Sequence, residues 1–123
     1  MIKIITIDDE PDFTEMVRNF FEPRGYTVFI AANGEDGLKV CGAEKPDIAF
    51  VDLRMPGIRG EEVLVRMKDV SPETICIVIT ASTGAGSTRE RIIKLGAYEC
   101  FDKPLASLKD LEVKMKEALA AKK

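Results

Sequence analysis

The chain has 123 residues, the length of one domain, enough to bury roughly two-thirds of the surface its unfolded form exposes. Hydrophobic residues at 46% and charged residues at 32% exclude disorder, and a net charge of −3 gives no electrostatic basis for nucleic-acid binding by this domain alone. The absence of histidine excludes histidine-ligated metals, Ser-His and Cys-His nucleophile pairs, and a phosphohistidine of the chain's own.

In chain order, apolar β-branched runs alternate with helical patterns. The first strand is expected over Ile2 to Ile7. A helix follows, with Phe13, Met16, Val17, Phe20 and Phe21 at the spacing of one face, Pro11 in its first turn and Gly25 at its end. The second strand is Thr27 to Ala31, and a short helix spans Glu35 to Ala43. The third strand, Ile48 to Val51, precedes a helix over Glu61 to Val70 with Val63, Leu64 and Met67 on one side. The fourth strand, Ile75 to Ile79, precedes a helix over Thr88 to Leu95 that carries Ile92 and Ile93 and stops at Gly96. A weaker strand over Glu99 to Phe101 leads to a last helix, Leu108 to Ala121, striped by Leu108, Leu111, Met115 and Leu119. Nearly continuous apolar strands are those of a parallel sheet covered on both faces. The order is βα five times, and right-handed crossovers place helices on both faces.

Cys41, Cys76 and Cys100 are far apart, with no C-x-x-C, which argues against a zinc site or a disulfide framework. Cys76, inside ICIVI, reads as a small buried hydrophobe. The first apolar stretch is broken at once by Asp8, Asp9 and Glu10, so it is not a signal peptide, and no run approaches a membrane span. A cytoplasmic protein with no membrane partner is expected.

In open α/β sheets the ligand site lies beyond the carboxyl ends of the strands. The residues there are Asp8 and Asp9 after the first strand, Asp52 after the third, Thr80 after the fourth and Lys103 after the fifth. Three close carboxylates repel one another, and Mg²⁺, which takes oxygen ligands, relieves that repulsion. Lys103 adds a positive charge and Thr80 a donor, the set that phosphoryl transfer needs. A carboxylate can itself be the nucleophile and form an aspartyl-phosphate. The turn DDEPDF after the first strand has no glycine-rich phosphate loop. Each residue also has a plainer role. Asp8 or Asp9 could cap the helix that Pro11 starts, Asp52 could open a loop, Thr80 could be a strand-end hydroxyl, and Lys103 could be one more solvated lysine. Met55 reads as packing or loop, and Arg89 and Arg91 as a solvated face.

Taken together, Asp8–Asp9, VDLRMPG with Asp52, ITAS with Thr80, and FDKP with Lys103–Pro104 resemble the receiver domain of two-component response regulators, and the resemblance covers essentially the whole chain, 1–123. It implies a flavodoxin-like (βα)5 doubly wound fold with strand order 2-1-3-4-5. It also implies that Asp52 is the phosphoacceptor and that Mg²⁺ is held by Asp8, Asp9, Asp52 and the backbone carbonyl of Arg54. Thr80 and Lys103 would contact the phosphoryl group, and Arg54 and Ser82 would tune its lifetime. The Lys103–Pro104 bond would be cis. The implied partners are a sensor histidine kinase and a downstream target or output domain. Such a domain catalyses its own phosphorylation and dephosphorylation without turning over a separate small-molecule substrate. Two positions depart from the family pattern. Cys100 stands where an aromatic switch residue is usual, and the stretch ASTGAGST after Thr80 is rich in Gly and Ser. Both place the expected movement in the Ser82 to Thr88 loop, with its glycines Gly84 and Gly86. Tyr98 is expected on the strand face of Cys100 by period two.

Three rival readings remain: a pseudo-receiver acting only as an interaction module, a flavin-binding domain of the same topology, and an aspartate-nucleophile phosphatase. The intact acidic set argues against the first and the missing phosphate loop against the second. Asp52-Leu53-Arg54 lacks the second Asp that the third requires.

Overall fold

The computed structural model describes residues 1–81 and 86–121. Five strands, β1 (Lys3–Ile7), β2 (Thr27–Ala31), β3 (Ile48–Val51), β4 (Ile75–Thr80) and β5 (Ala97–Asp102), form one parallel sheet in the order β2-β1-β3-β4-β5. Helices α1 (Pro11–Phe21), α2 (Gly34–Glu44), α3 (Gly60–Val70), α4 (Gly86–Lys94) and α5 (Leu108–Ala121) fill the crossovers. This is the flavodoxin-like (βα)5 arrangement that the family resemblance implies, and the fivefold βα order is the one the strand and helix patterns give.

The sheet divides the core in two. Ile4, Phe50, Ile77 and Ile79 pack with Phe13, Val17 and Phe21 of α1 and Leu111 and Met115 of α5. Ile5, Ile7, Val51 and Val78 pack with Leu38 and Cys41 of α2, Val63, Leu64 and Met67 of α3, and Ile92 of α4. Successive residues of one strand thus serve opposite layers, and both layers are apolar, which is why the strands lack a polar face.

Pro11 opens α1, and Gly25, at φ 96°, ends the short 3₁₀ turn Glu22–Arg24 that extends it. Asn33 caps α2 by accepting the Asp36 N–H at 2.8 Å. The stripe of α1 is narrower than its spacing suggested, for Met16 is 40% exposed. On α4 only Ile92 enters the core, while Ile93 is 37% exposed.

In β5 a register shift corrects the period-two expectation. Cys76 faces Ala97 but Ile77 faces Glu99, so Tyr98 is an extra residue. Cys100 packs into the α2–α3–α4 layer, whereas Tyr98 lines a surface hollow with Ala118 and Ala121 of α5. The Lys103–Pro104 bond is cis, as the resemblance implied. Of the Ser82 to Thr88 loop where movement is expected, residues 82–85 lie outside the described residues and 86–88 already belong to α4.

Candidate functional site

Parallel pairing brings the ends of β1, β3, β4 and β5 to one edge. The pairing continues just past the strands: Asp8 N–H donates to the Ala31 carbonyl at 3.0 Å, Asp52 N–H to Ile7 at 3.1 Å, and Lys103 N–H to Thr80 at 3.0 Å. Those bonds fix the backbone of three of the expected residues. Asp8, Asp52 and Thr80 are all buried.

Lys103 joins the groups. Its Nζ lies 2.7 Å from Asp8 Oδ2 and 3.3 Å from Asp52 Oδ2, and it also pairs with Glu10 Oε1. The ammonium sits 4.6 Å from the centre of the Phe13 ring, a cation–π contact from the first turn of α1. Asp8 Oδ1 accepts the Glu10 N–H at 2.9 Å, and Asp52 Oδ1 accepts the Arg54 N–H at 3.3 Å. Both carboxylates are therefore oriented by their own loops.

Burial pushes the Asp8 carboxyl above its ordinary 3.8, and the Asp52 charge adds to that. Hydrogen bonds from Lys103 and the Glu10 N–H pull it back only in part. Burial disfavours the Lys103 charge, yet its bonds to Asp8 and Glu10 outweigh that and hold the ammonium above its ordinary value. The lysine stays charged because the carboxylates crowd it.

Carboxylate oxygens of Asp8, Glu10 and Asp52 all lie within 4.8 Å of one another. Such a hard, all-oxygen, anionic set fits Mg²⁺. Of the residues expected from the sequence, Asp8, Asp52 and Lys103 come together. Thr80 ends the neighbouring strand, and its carbonyl is bonded to Lys103. Asp9 is exposed and lies on an open hollow with Asn33, Glu35, Asp36 and Lys39. Glu10 instead stands beside Asp8 and Asp52. The sequence reading passed over it, although the run DDE at a strand end was the available signal.

Gly60 is a second missed residue. A Cβ there would overlap the Asp52 carbonyl oxygen and lie 2.7 Å from Leu53 Cα. Only glycine lets α3 start this close to the Asp52 backbone. The crowding atoms are all backbone, so the approach cannot relax by moving a side chain.

Residues 4–116 match the family model described as the response regulator receiver domain. The sporulation initiation phosphotransferase F of Bacillus subtilis is 35% identical over 102 residues, covering 83% of this chain and 82% of that protein. The nitrogen assimilation regulatory protein NtrX of Azorhizobium caulinodans is 33% identical over 103 residues, 82% of this chain but 22% of that protein. The chain thus spans less than a quarter of that longer regulator. Among solved structures, a receiver domain protein from Methanospirillum hungatei superposes with a TM-score of 0.91 at 26% identity, covering 99% of this chain and 96% of that one. The receiver TrrA of Thermotoga maritima, solved with Mg²⁺ and beryllofluoride, gives a TM-score of 0.82 at 29% identity over 95% of this chain and 98% of that one. On the sheet order, the acidic edge and these matches together, the chain belongs to the response regulator receiver domain family and serves phosphorelay signalling in two-component systems.

Proposed function

We propose that Asp52 is the phosphoacceptor of this receiver and that the phosphoryl group comes from the phosphohistidine of a sensor kinase. The carrying observation is the convergence of Asp8, Glu10 and Asp52 on the single ammonium of Lys103. An Asp52 carboxylate oxygen attacks phosphorus, a new O–P bond forms, the N–P bond to the imidazolium breaks, and neutral imidazole leaves. Asp52 can meet the donor in line because its other oxygen is held by the Arg54 N–H. Lys103 balances the phosphoryl charge that accumulates beside it. Thr80 presents its hydroxyl to the same group.

The proposed holders of Mg²⁺ are Asp8, Asp9, Asp52 and the Arg54 carbonyl, with Glu10 adjacent. Bound there, the ion neutralises charge on the transferred group. The Mg²⁺–beryllofluoride complex of the related TrrA supports the assignment. The product is read by a downstream target or by an output domain. The domain is proposed to span residues 1–123 and to act in the cytoplasm. No helix among the described residues is long and apolar enough to cross a membrane.

Acetyl phosphate with Mg²⁺ should add one alkali- and hydroxylamine-labile phosphoryl group to the intact chain and none to Asp52→Asn. Labelling of Asp52→Asn to full stoichiometry would show that the acceptor lies elsewhere.

A further inference from the structure

Helix α4 is poorly anchored by apolar packing. Among its described side chains only Ile92 is fully buried, whereas each other helix buries several. Charged contacts hold the rest of it. Arg91 pairs with Glu61 of α3 at 3.1 Å. Arg89 pairs with Glu99 of β5, and its Nη1 donates to the Cys100 carbonyl at 3.3 Å.

The Arg89 contact is more than a surface pair. Glu99 is only 17% exposed, so its charge is partly stripped of water and pairs more strongly than a solvated one. Its carboxylate also accepts the Cys100 N–H at 3.0 Å and faces Lys114 of α5 at 3.8 Å. β5 is an edge strand, and Arg89 covers one of its outward carbonyls. One guanidinium therefore ties α4 to the strand and, through Glu99, to α5. Sequence reading had left Arg89 and Arg91 as a solvated face, because neither partner is near them in the chain.

We propose that Arg89 is a positioning residue, a latch whose strength sets how readily α4 shifts when the acceptor site is filled. β4 ends at Thr80 and α4 begins at Gly86, so Arg89 stands one turn into the helix that the Thr80 segment feeds. In chain order Arg89 is the first of the described anchors of α4 after Thr80. Cys100 is too small to sweep into vacated space, and at this point of β5 the polar contact described from α4 is the guanidinium on the Cys100 carbonyl. The gating half of this inference rests on Asp52 being the acceptor; the strap itself does not.

The test compares the unsubstituted chain with Arg89→Gln, Glu99→Gln and Arg89→Lys. Hydrogen exchange is followed at α4 and β5, and beryllofluoride with Mg²⁺ is titrated as the phosphoryl mimic. Arg89→Gln and Glu99→Gln should speed exchange in α4 by about threefold to tenfold, with β1 and α1 unchanged. Arg89→Lys should restore part of the protection. By linkage, the half-saturating beryllofluoride concentration should fall by a comparable factor. Unchanged α4 exchange in Arg89→Gln would overturn the latch. Faster exchange with an unchanged half-saturation point would overturn the gating and leave a structural tie. If beryllofluoride fails to bind the unsubstituted chain while α4 still loosens, the acceptor assignment and the gating fall together, and the strap stands.

Discussion

Lys103 is 11% exposed and shares one ammonium among Asp8, Glu10 and Asp52. It occupies the oxygens that a divalent ion would use, so it both stabilises the cluster and competes with the ion. Replacing it by Met keeps an unbranched side chain of similar length but removes the ammonium, losing its contact with Phe13 and leaving Asp8 and Asp52 buried without a cation. In the absence of metal, Lys103→Met should cost about 1–3 kcal/mol in urea unfolding. In calorimetry the same variant should bind Mg²⁺ several-fold more tightly than the unsubstituted chain, because the repulsion it exposes is what the ion relieves. Weaker Mg²⁺ binding would mean that Lys103 organises the carboxylates rather than competing for them.

Two helices owe their placement to single residues. α3 begins at Gly60 against the Asp52 carbonyl, and Gly60→Ala forces backbone from backbone. That change should destabilise by about 2–4 kcal/mol, well beyond an ordinary helix-start substitution, and thermal unfolding would measure it. α5 is tied to the end of α1 by Glu112, which is buried. It accepts from Tyr26 Oη at 2.7 Å and from Arg24 Nε at 3.1 Å. Burial alone would raise the Glu112 carboxyl, but the bonds from Arg24 and Tyr26 outweigh it and hold it below its ordinary 4.5. Burial and the Glu112 charge push the Tyr26 phenol up to about 12, so it stays a donor throughout the accessible range. A depressed folded value means that the stabilisation is complete above the ordinary Glu range and is lost as pH falls through the folded value. Glu112→Gln should therefore be less stable at pH 7, and the gap should close as the pH drops below about 4. A gap independent of pH would assign the loss to packing.

At the scale of the molecule, the strands and the strand-end residues were legible because continuous β-branched runs admit few alternatives, and the carboxyl edge of a parallel sheet is where its ligand groups must stand. Asp8, Asp52 and Lys103 met as that rule requires. Glu10 was marked only by its place in the run DDE, because an exposed carboxylate joins a site only through the rotamer its partner selects. Gly60 was not legible, since its value lies in an inter-element approach with no local signature. Tyr98 was misplaced because the β5 register shift follows from pairing with β4, not from β5 itself. Thiol chemistry tests the whole fold. Burial raises Cys76 to about 12 and Cys41 to about 11, and both lie in the core layer beneath α2 and α3. Cys100, on the edge strand, is half-buried. Under native conditions an alkylating reagent should modify Cys100 first, while Cys41 and Cys76 should react at the rate of global unfolding. Cys76 reacting as fast as Cys100 would mean that the β4–β5 half opens by itself.

The partners at the acidic edge are far apart in the chain: Asp8 and Lys103 are separated by 95 residues. During synthesis β1 to β4 emerge first, carrying Asp8, Glu10 and Asp52 without their ammonium. Until Lys103 is present, nothing from β5 offsets the mutual repulsion of those carboxylates. The lysine that would balance the proposed acceptor site therefore joins it only with the last strand of the sheet.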